Sequence, residues 1–236
     1  MKKLINKKMI ALALALTIIT TLSFFTACGG GRSETNSDSQ PDNSQYLPES
    51  FLADLGNGLK IADIGEYTGM YMEDGTDEIV SGVLMMIVKN TSDKTLQYAA
   101  FTMPAGENDA KFELTTLPAG QSAVLLEKSR MAFDKDFDYA TAVADNTAFF
   151  PEEPTKMEDT VKVQFLDGVI NVTNISDSDI EGEIVIYYKN SAADLYYGGI
   201  TYRSRVTGGL AKGETRQIAG GHASKTGSAL MFVQII

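Results

Sequence analysis

One cysteine in the chain has its chemistry dictated by its neighbours. Cys28 directly follows Phe25-Thr26-Ala27, the end of an apolar run over residues 9–25, which itself follows Lys2, Lys3, Lys7 and Lys8. A basic start, an apolar stretch and small residues just before a cysteine form the layout of a bacterial lipoprotein signal. There the chain is cut ahead of the cysteine, whose thiol is acylated. The seventeen residues of the run are apolar or hydroxyl-bearing and nearly long enough to span a bilayer, so an uncleaved anchor helix is the competing reading. The position of the only cysteine, right after Thr-Ala, favours cleavage. Several acyl chains on one residue anchor stably where a single chain would not. The expected location is therefore extracytoplasmic and membrane-anchored. Gly29 and the phenylalanine in the cleavage motif lean towards a Gram-positive surface.

Other candidate residues carry weaker chemistry. Asp134, Asp136 and Asp138 have the alternating spacing that opens a calcium loop, with Asp145 at the twelfth position. The sixth position is Tyr139 where such a loop needs glycine, and the twelfth is not glutamate, so a solvated acidic turn competes with a looser calcium site. The segments around Asp74-Gly75-Thr76-Asp77-Glu78 and Asp177-Ser178-Asp179 read as polar hairpin turns. Tyr187, Tyr188, Tyr196, Tyr197 and Tyr202 fall within sixteen residues. On adjacent strands, tyrosines can form a face that stacks on a sugar or a protein. Alternation puts Tyr188 inward and Tyr187 outward, leaving Tyr187, Tyr196, Tyr197 and Tyr202 as the candidate face, with ordinary core packing as the alternative. His222, the only histidine, reads as a loop residue with no second ligand and no nucleophile set beside it.

Composition removes several functions. Without residues 1–27 the chain keeps 16 Lys+Arg against 31 Asp+Glu, a net charge of −15. Such a surface repels nucleic acid. With Cys28 acylated there is no thiol left for a disulfide, so the fold must hold through its core. No residue pattern specifies a catalytic constellation or a cofactor, and an enzyme is not expected.

The elements that would position these residues are strands. Residues 29–45 are Gly, Ser, Asn, Asp and other polar types without an aliphatic side chain, the composition of a flexible tether. Residues 49–59 read as one or two helical turns before the first strand. Beyond them the sequence repeats. Val88-Lys89-Asn90-Thr91-Ser92-Asp93 recurs as Val172-Thr173-Asn174-Ile175-Ser176-Asp177, and Leu117-Pro118-Ala119-Gly120-Gln121 recurs as Leu210-Ala211-Lys212-Gly213-Glu214. Further strands are expected over 122–127 and 139–143 in the first copy, and over 215–219 and 229–235 in the second. The linker, 149–160, carries two prolines and several charges. Val161, Val163 and Phe165 alternate with Lys162 and Gln164, and Gly182, Ile184, Ile186 and Tyr188 with Glu181 and Glu183, as half-buried antiparallel strands do. Residues 83–88 are apolar on both faces, as in a central strand. The expectation is all-β: two tandem Ig-like antiparallel β-sandwich modules, 60–150 and 161–236, after a signal peptide (1–27) and a lipidated cysteine with its tether (28–48).

The second copy resembles the Ig-like modules of bacterial surface lipoproteins, of the FxLYD type and its CARDB-like relatives. The likeness rests on Val172-x-Asn174-x-Ser176, the strand Ile184-Val185-Ile186-Tyr187-Tyr188-Lys189 and Leu210-x-x-Gly213-Glu214. It covers about a third of the chain, and the first copy matches only at its turns. Where that family has an acid and then glycine after the aromatic, this chain has Tyr188-Lys189-Asn190. The resemblance implies an extracytoplasmic module with no catalytic residues to carry over. The leading expectation is a non-catalytic binding or scaffold protein held to the membrane by its acyl chains and facing an envelope protein or glycan. The alternative is a carbohydrate-binding or adhesive protein using the tyrosines.

Overall fold

The computed structural model describes residues 50–236 except 137, 139, 140, 193 and 194. Cys28 and the tether lie outside the described residues. Thirteen strands follow one another: β1 (Ala53–Gly56), β2 (Leu59–Met70), β3 (Ile79–Asn90), β4 (Leu96–Ala105), β5 (Asn108–Leu117), β6 (Ser122–Leu126) and β7 (Val143–Phe149), then β8 (Val161–Leu166), β9 (Val169–Asn174), β10 (Ile184–Ala192), β11 (Leu195–Val206), β12 (Thr215–Ala219) and β13 (Ser228–Ile235). The fold is all-β, as the alternation requires. The expected helical turns over 49–59 are replaced by a hairpin. Asn57 and Gly58 both adopt positive φ, 54° and 77°, and connect β1 to β2 as a two-residue loop. An Asn-Gly pair tolerates this left-handed geometry, and its twist matches that of the flanking strands. The strand expected over 139–143 lies later, as β7, with Tyr139 and Ala140 outside the described residues.

Three sheets result. One has seven strands in the order β1-β2-β3-β6-β11-β10-β13; the others are β5-β4-β7 and β12-β9-β8. Among the described residues every strand pairing is antiparallel except one. β6 and β11 run parallel, joined at Leu195 with Ser122, Tyr196 with Ala123 and Tyr197 with Val124. That three-residue ladder makes a single sheet out of strands from both copies. Among the described residues one buried cluster draws on the first copy and another on the second, while a third joins Val83, Val124 and Leu126 to Leu195 and Tyr197 across the ladder. In the first, Leu84, Met86 and Val88 of β3 meet Phe101 and Phe112, which stand opposite each other on β4 and β5 and are 1% exposed. Burying one such side chain contributes on the order of 2–3 kcal/mol. In the second, Ile184, Ile186 and Tyr188 of β10 pack against Ile170, Val172, Tyr202 and Val206.

The pleat places these cores on opposite faces of the shared sheet. Tyr196 packs on the first core, whereas Tyr197 packs with Val83, Val124 and Leu126 on the other face. Asn190 is opposite Tyr197 in the ladder, so it shares that second face. Two, four and six residues back along β10 come Tyr188, Ile186 and Ile184, which therefore point the same way, into the second core. Residues 83–88 are apolar on both sides for the same reason: Leu84, Met86 and Val88 face the first core, and Val83, Met85 and Ile87 the opposite cluster.

The repeated asparagines have matching bonds. Asn90 Nδ2 donates to the carbonyls of Lys94 and Leu117, both at 2.9 Å, and its Oδ1 accepts from the Ser92 amide and hydroxyl. Asn174 Nδ2 donates to Ser178 and Leu210, at 2.8 and 2.9 Å, and its Oδ1 accepts from Ser176 in the same way. The amide of Gly120 donates to the Asn90 carbonyl, and that of Gly213 to the Asn174 carbonyl. Both glycines have φ near 75°, which the Leu-x-x-Gly turn demands.

Candidate functional site

The four tyrosines expected on one face do not share one. Tyr187 is half-buried, stacked on Phe232 with ring centroids 4.1 Å apart, and its hydroxyl bonds Gln234 Oε1 at 2.9 Å. Tyr196 and Tyr197 diverge because neighbouring residues of a strand point to opposite faces. Tyr202 is 8% exposed, inside the second core, where it stacks on His222 at 4.3 Å. The physical reason is a break in β11. Its register against β10 passes from Tyr197 opposite Asn190 to Tyr202 opposite Tyr188, so residues 198–201 lie across from Lys189 alone. Tyr188 points inward, at 2% exposure. Asp134 accepts from the Asp136 amide at 3.0 Å, a local turn contact, and among the described residues no three acidic, histidine or cysteine side chains are gathered to hold a metal.

The break in β11 produces an arrangement of charges not foreseen from the sequence. Lys189 has no exposed surface, and its ammonium donates to the carbonyls of Gly198, Gly199 and Ile200 at 3.1, 3.0 and 2.8 Å. On the amide side, Glu73 plays the complementary part. Its carboxylate accepts from Leu126 N of β6 at 2.9 Å and from Gly199 N of β11 at 3.0 and 2.8 Å, bridging the two strands where their ladder ends. Gly199 leaves no choice of residue. A Cβ there would lie 1.8 Å from the Glu113 carbonyl oxygen. Burial pushes Glu73 up to about 6; the two backbone amides and Lys189 resist that shift and Glu113 adds to it. Burial also pulls Lys189 down to about 7, against the pull of Glu73.

Glu73 belongs to residues 71–78, the strap between β2 and β3. The hydroxyl of Tyr71 donates to the carbonyls of Glu127 and Lys128, both at 3.0 Å. Arg130 lies 4.6 Å over the Tyr71 ring and pairs with Asp74 at 2.9 Å and Glu78 at 2.7 Å. At the far end Asp77 Oδ2 meets His222 Nδ1 at 3.0 Å. The strap of the first copy thus grips the second copy twice, at Gly199 and at His222. The histidine that reads as partnerless in sequence is a contact between the copies.

A second feature suits a ligand better. A cleft of about 710 Å³ opens over the first core, lined by Phe101, Thr102, Asp109, Lys111, Met131 and Asp145 among others. Asp145 accepts from the Thr102 hydroxyl. The Glu113–Lys128 ion pair, at 2.6 Å, lies along the same wall. Glu127, 1% exposed, holds the back of the cleft by accepting from the amides of Lys111, Ser129 and Met131. Most of its lining is polar or charged, since Phe101 and Phe112 are 1% exposed and belong to the core, so the cleft offers a ligand hydrogen-bonding and charged groups more than apolar surface. No family model, curated protein or solved structure matches the chain.

Proposed function

We propose that the protein is an extracytoplasmic lipoprotein, held to the membrane through acylated Cys28, whose all-β body serves as a non-catalytic binding or scaffold module. The observation that carries this reading is the order of segments in the sequence: lysines, apolar run, Thr26-Ala27-Cys28, polar tether, then strands. The resemblance of the second copy to Ig-like surface modules and the −15 charge of the mature chain support the same placement. The cleft over the first core supports a binding role, with an envelope protein or glycan as the class of partner. The tyrosine-face alternative loses its main support, because Tyr202 is buried and Tyr196 and Tyr197 point to opposite faces.

Fractionation of bacterial cells expressing the full chain tests the reading. The wild-type protein is expected in the membrane fraction, with its folded part open to protease added outside the cytoplasmic membrane. Cys28→Ala should lose acyl labelling and leave its signal unprocessed by the lipoprotein peptidase. A Cys28→Ala protein that still incorporates labelled palmitate, or a wild-type protein confined to the cytosol, refutes the proposal.

A further inference from the structure

The two copies correspond strand for strand, and the second shows what one edge of the first lacks. β3, β4, β5 and β6 match β9, β10, β11 and β12. Asn90 and Asn174 bond equivalent turns, and Ala105 with Asn108 closes one hairpin as Ala192 with Leu195 closes the other. Asn108, Asp109 and Ala110 therefore stand where Leu195, Tyr196 and Tyr197 stand. In the second copy that edge is occupied, because β6 lies along it as a parallel strand joined at all three residues. In the first copy β5 is the outermost strand of its sheet. Leu195 and Tyr196 are half-buried, whereas Asn108 and Asp109 are exposed.

The backbone of β5 points outward at this edge. The Lys111 amide donates to Glu127 Oε1 at 3.1 Å, and the Lys111 carbonyl accepts from the Lys128 amide at 3.0 Å, both on the side away from β4. Antiparallel pairing alternates such groups along a strand. Asp109, two residues back, thus turns its own amide and carbonyl the same way. Among the described residues no strand lies beyond it. The cleft opens here, with Asn108, Asp109, Lys111, Lys128 and Ser129 in its wall.

We propose that the cleft takes an extended peptide, which adds to the edge of β5 at Asp109 as β6 adds to β11, and that it prefers a basic one. This rests on the binding role given to the cleft above. Strand addition draws affinity from main-chain hydrogen bonds and selectivity from alternate side chains. Charge supplies the selectivity here. Glu113 is paired with Lys128, and Glu127 is taken up by backbone amides. Asp109 and Asp145 then outnumber Lys111 in the cleft wall. A lysine or arginine of the peptide meets more opposite than like charge there, and a carboxylate meets the reverse. A glycan has no strand edge to pair with Asp109.

The test titrates the full mature chain with a blocked hexapeptide of alternating lysine and valine, its glutamate–valine counterpart, and chitotetraose. The lysine peptide should bind with a dissociation constant of about 1 mM or tighter, and the glutamate peptide about tenfold more weakly. The bound lysine peptide should protect the Asp109 amide from hydrogen exchange. Asp109→Pro removes that amide where it bonds nothing within the sheet, so binding should be lost at an unchanged melting temperature. Should Asp109→Pro fail to fold, the lysine peptide N-methylated throughout should fail to bind the wild-type chain. Equal binding of the two peptides, an Asp109 amide that exchanges as fast with peptide as without, or undiminished binding of the N-methylated peptide overturns the proposal. Chitotetraose bound in the cleft while the lysine peptide is not would overturn the strand and leave a binding role standing.

Discussion

Replacing Asn174 by alanine removes the organising side chain of the second copy, and its cost can be worked from the bonds. Asn174 has no exposed surface and makes four side-chain hydrogen bonds at 2.7–3.0 Å. A net contribution of roughly 1 kcal/mol each gives about 4 kcal/mol. Two of the acceptors keep another partner: the Leu210 carbonyl still receives the Ile180 amide, and the Ser178 carbonyl still receives the Ser176 hydroxyl. The expected loss is therefore nearer 3 kcal/mol, read as a lower urea midpoint at unchanged slope. Asn174→Asp keeps an acceptor for Ser176 but turns an oxygen towards the carbonyls of Ser178 and Leu210, so it should be at least as damaging. Asn90→Ala removes the matching set from the first copy and should cost the same within about 1 kcal/mol. A loss below 1 kcal/mol for Asn174→Ala, or an Asn174→Asp protein as stable as wild type, would refute the reasoning.

Two further substitutions probe the junction and the second core. Gly199→Ala places a methyl group 1.8 Å from a backbone oxygen that cannot step aside, so soluble yield and melting temperature should fall further than for any other glycine in the shared sheet; near-wild-type stability would mean that β11 does not follow this path. Tyr202→Phe deletes a buried hydroxyl with no hydrogen-bond partner among the described residues, and should leave stability unchanged or raise it by up to about 1 kcal/mol. A loss of 2 kcal/mol in chemical denaturation would instead reveal a partner for that oxygen.

The alternation of β8 and β9 was plain in the sequence, because each has one face in a core and the other partly exposed, whereas β10 is buried on both faces, with Val185 and Lys189 as enclosed as Ile184 and Ile186. The repeated Asn and Gly turns were legible for a different reason: few residues can bond the backbone so completely, or accept φ near 75°. Two kinds of feature stayed hidden. Gly56 and Gly58 look like interruptions of a helix until Asn57-Gly58 is read as a hairpin loop. The parallel β6–β11 ladder depends on strands 73 residues apart in sequence, at Ser122 and Leu195, and no local pattern announces it. Lys189 occupies a position that alternation marks as outward. Only the break at residues 198–201 turns that side of β10 into an interior. The one local signal was the departure from the Ig-like pattern at Tyr188-Lys189-Asn190. Glu73 sits beside an acidic turn and looks solvated there, while its carboxylate reaches between two strands.

The placement of the protein rests on Cys28, and the mass of its N-terminal peptide tests that most directly. Protein extracted from bacterial membranes and digested should yield a first peptide beginning at Cys28 and carrying the mass of attached acyl chains, with no peptide from residues 1–27. A first peptide that begins at Met1, or one that begins at Cys28 with an unmodified thiol, would contradict a lipid-anchored protein.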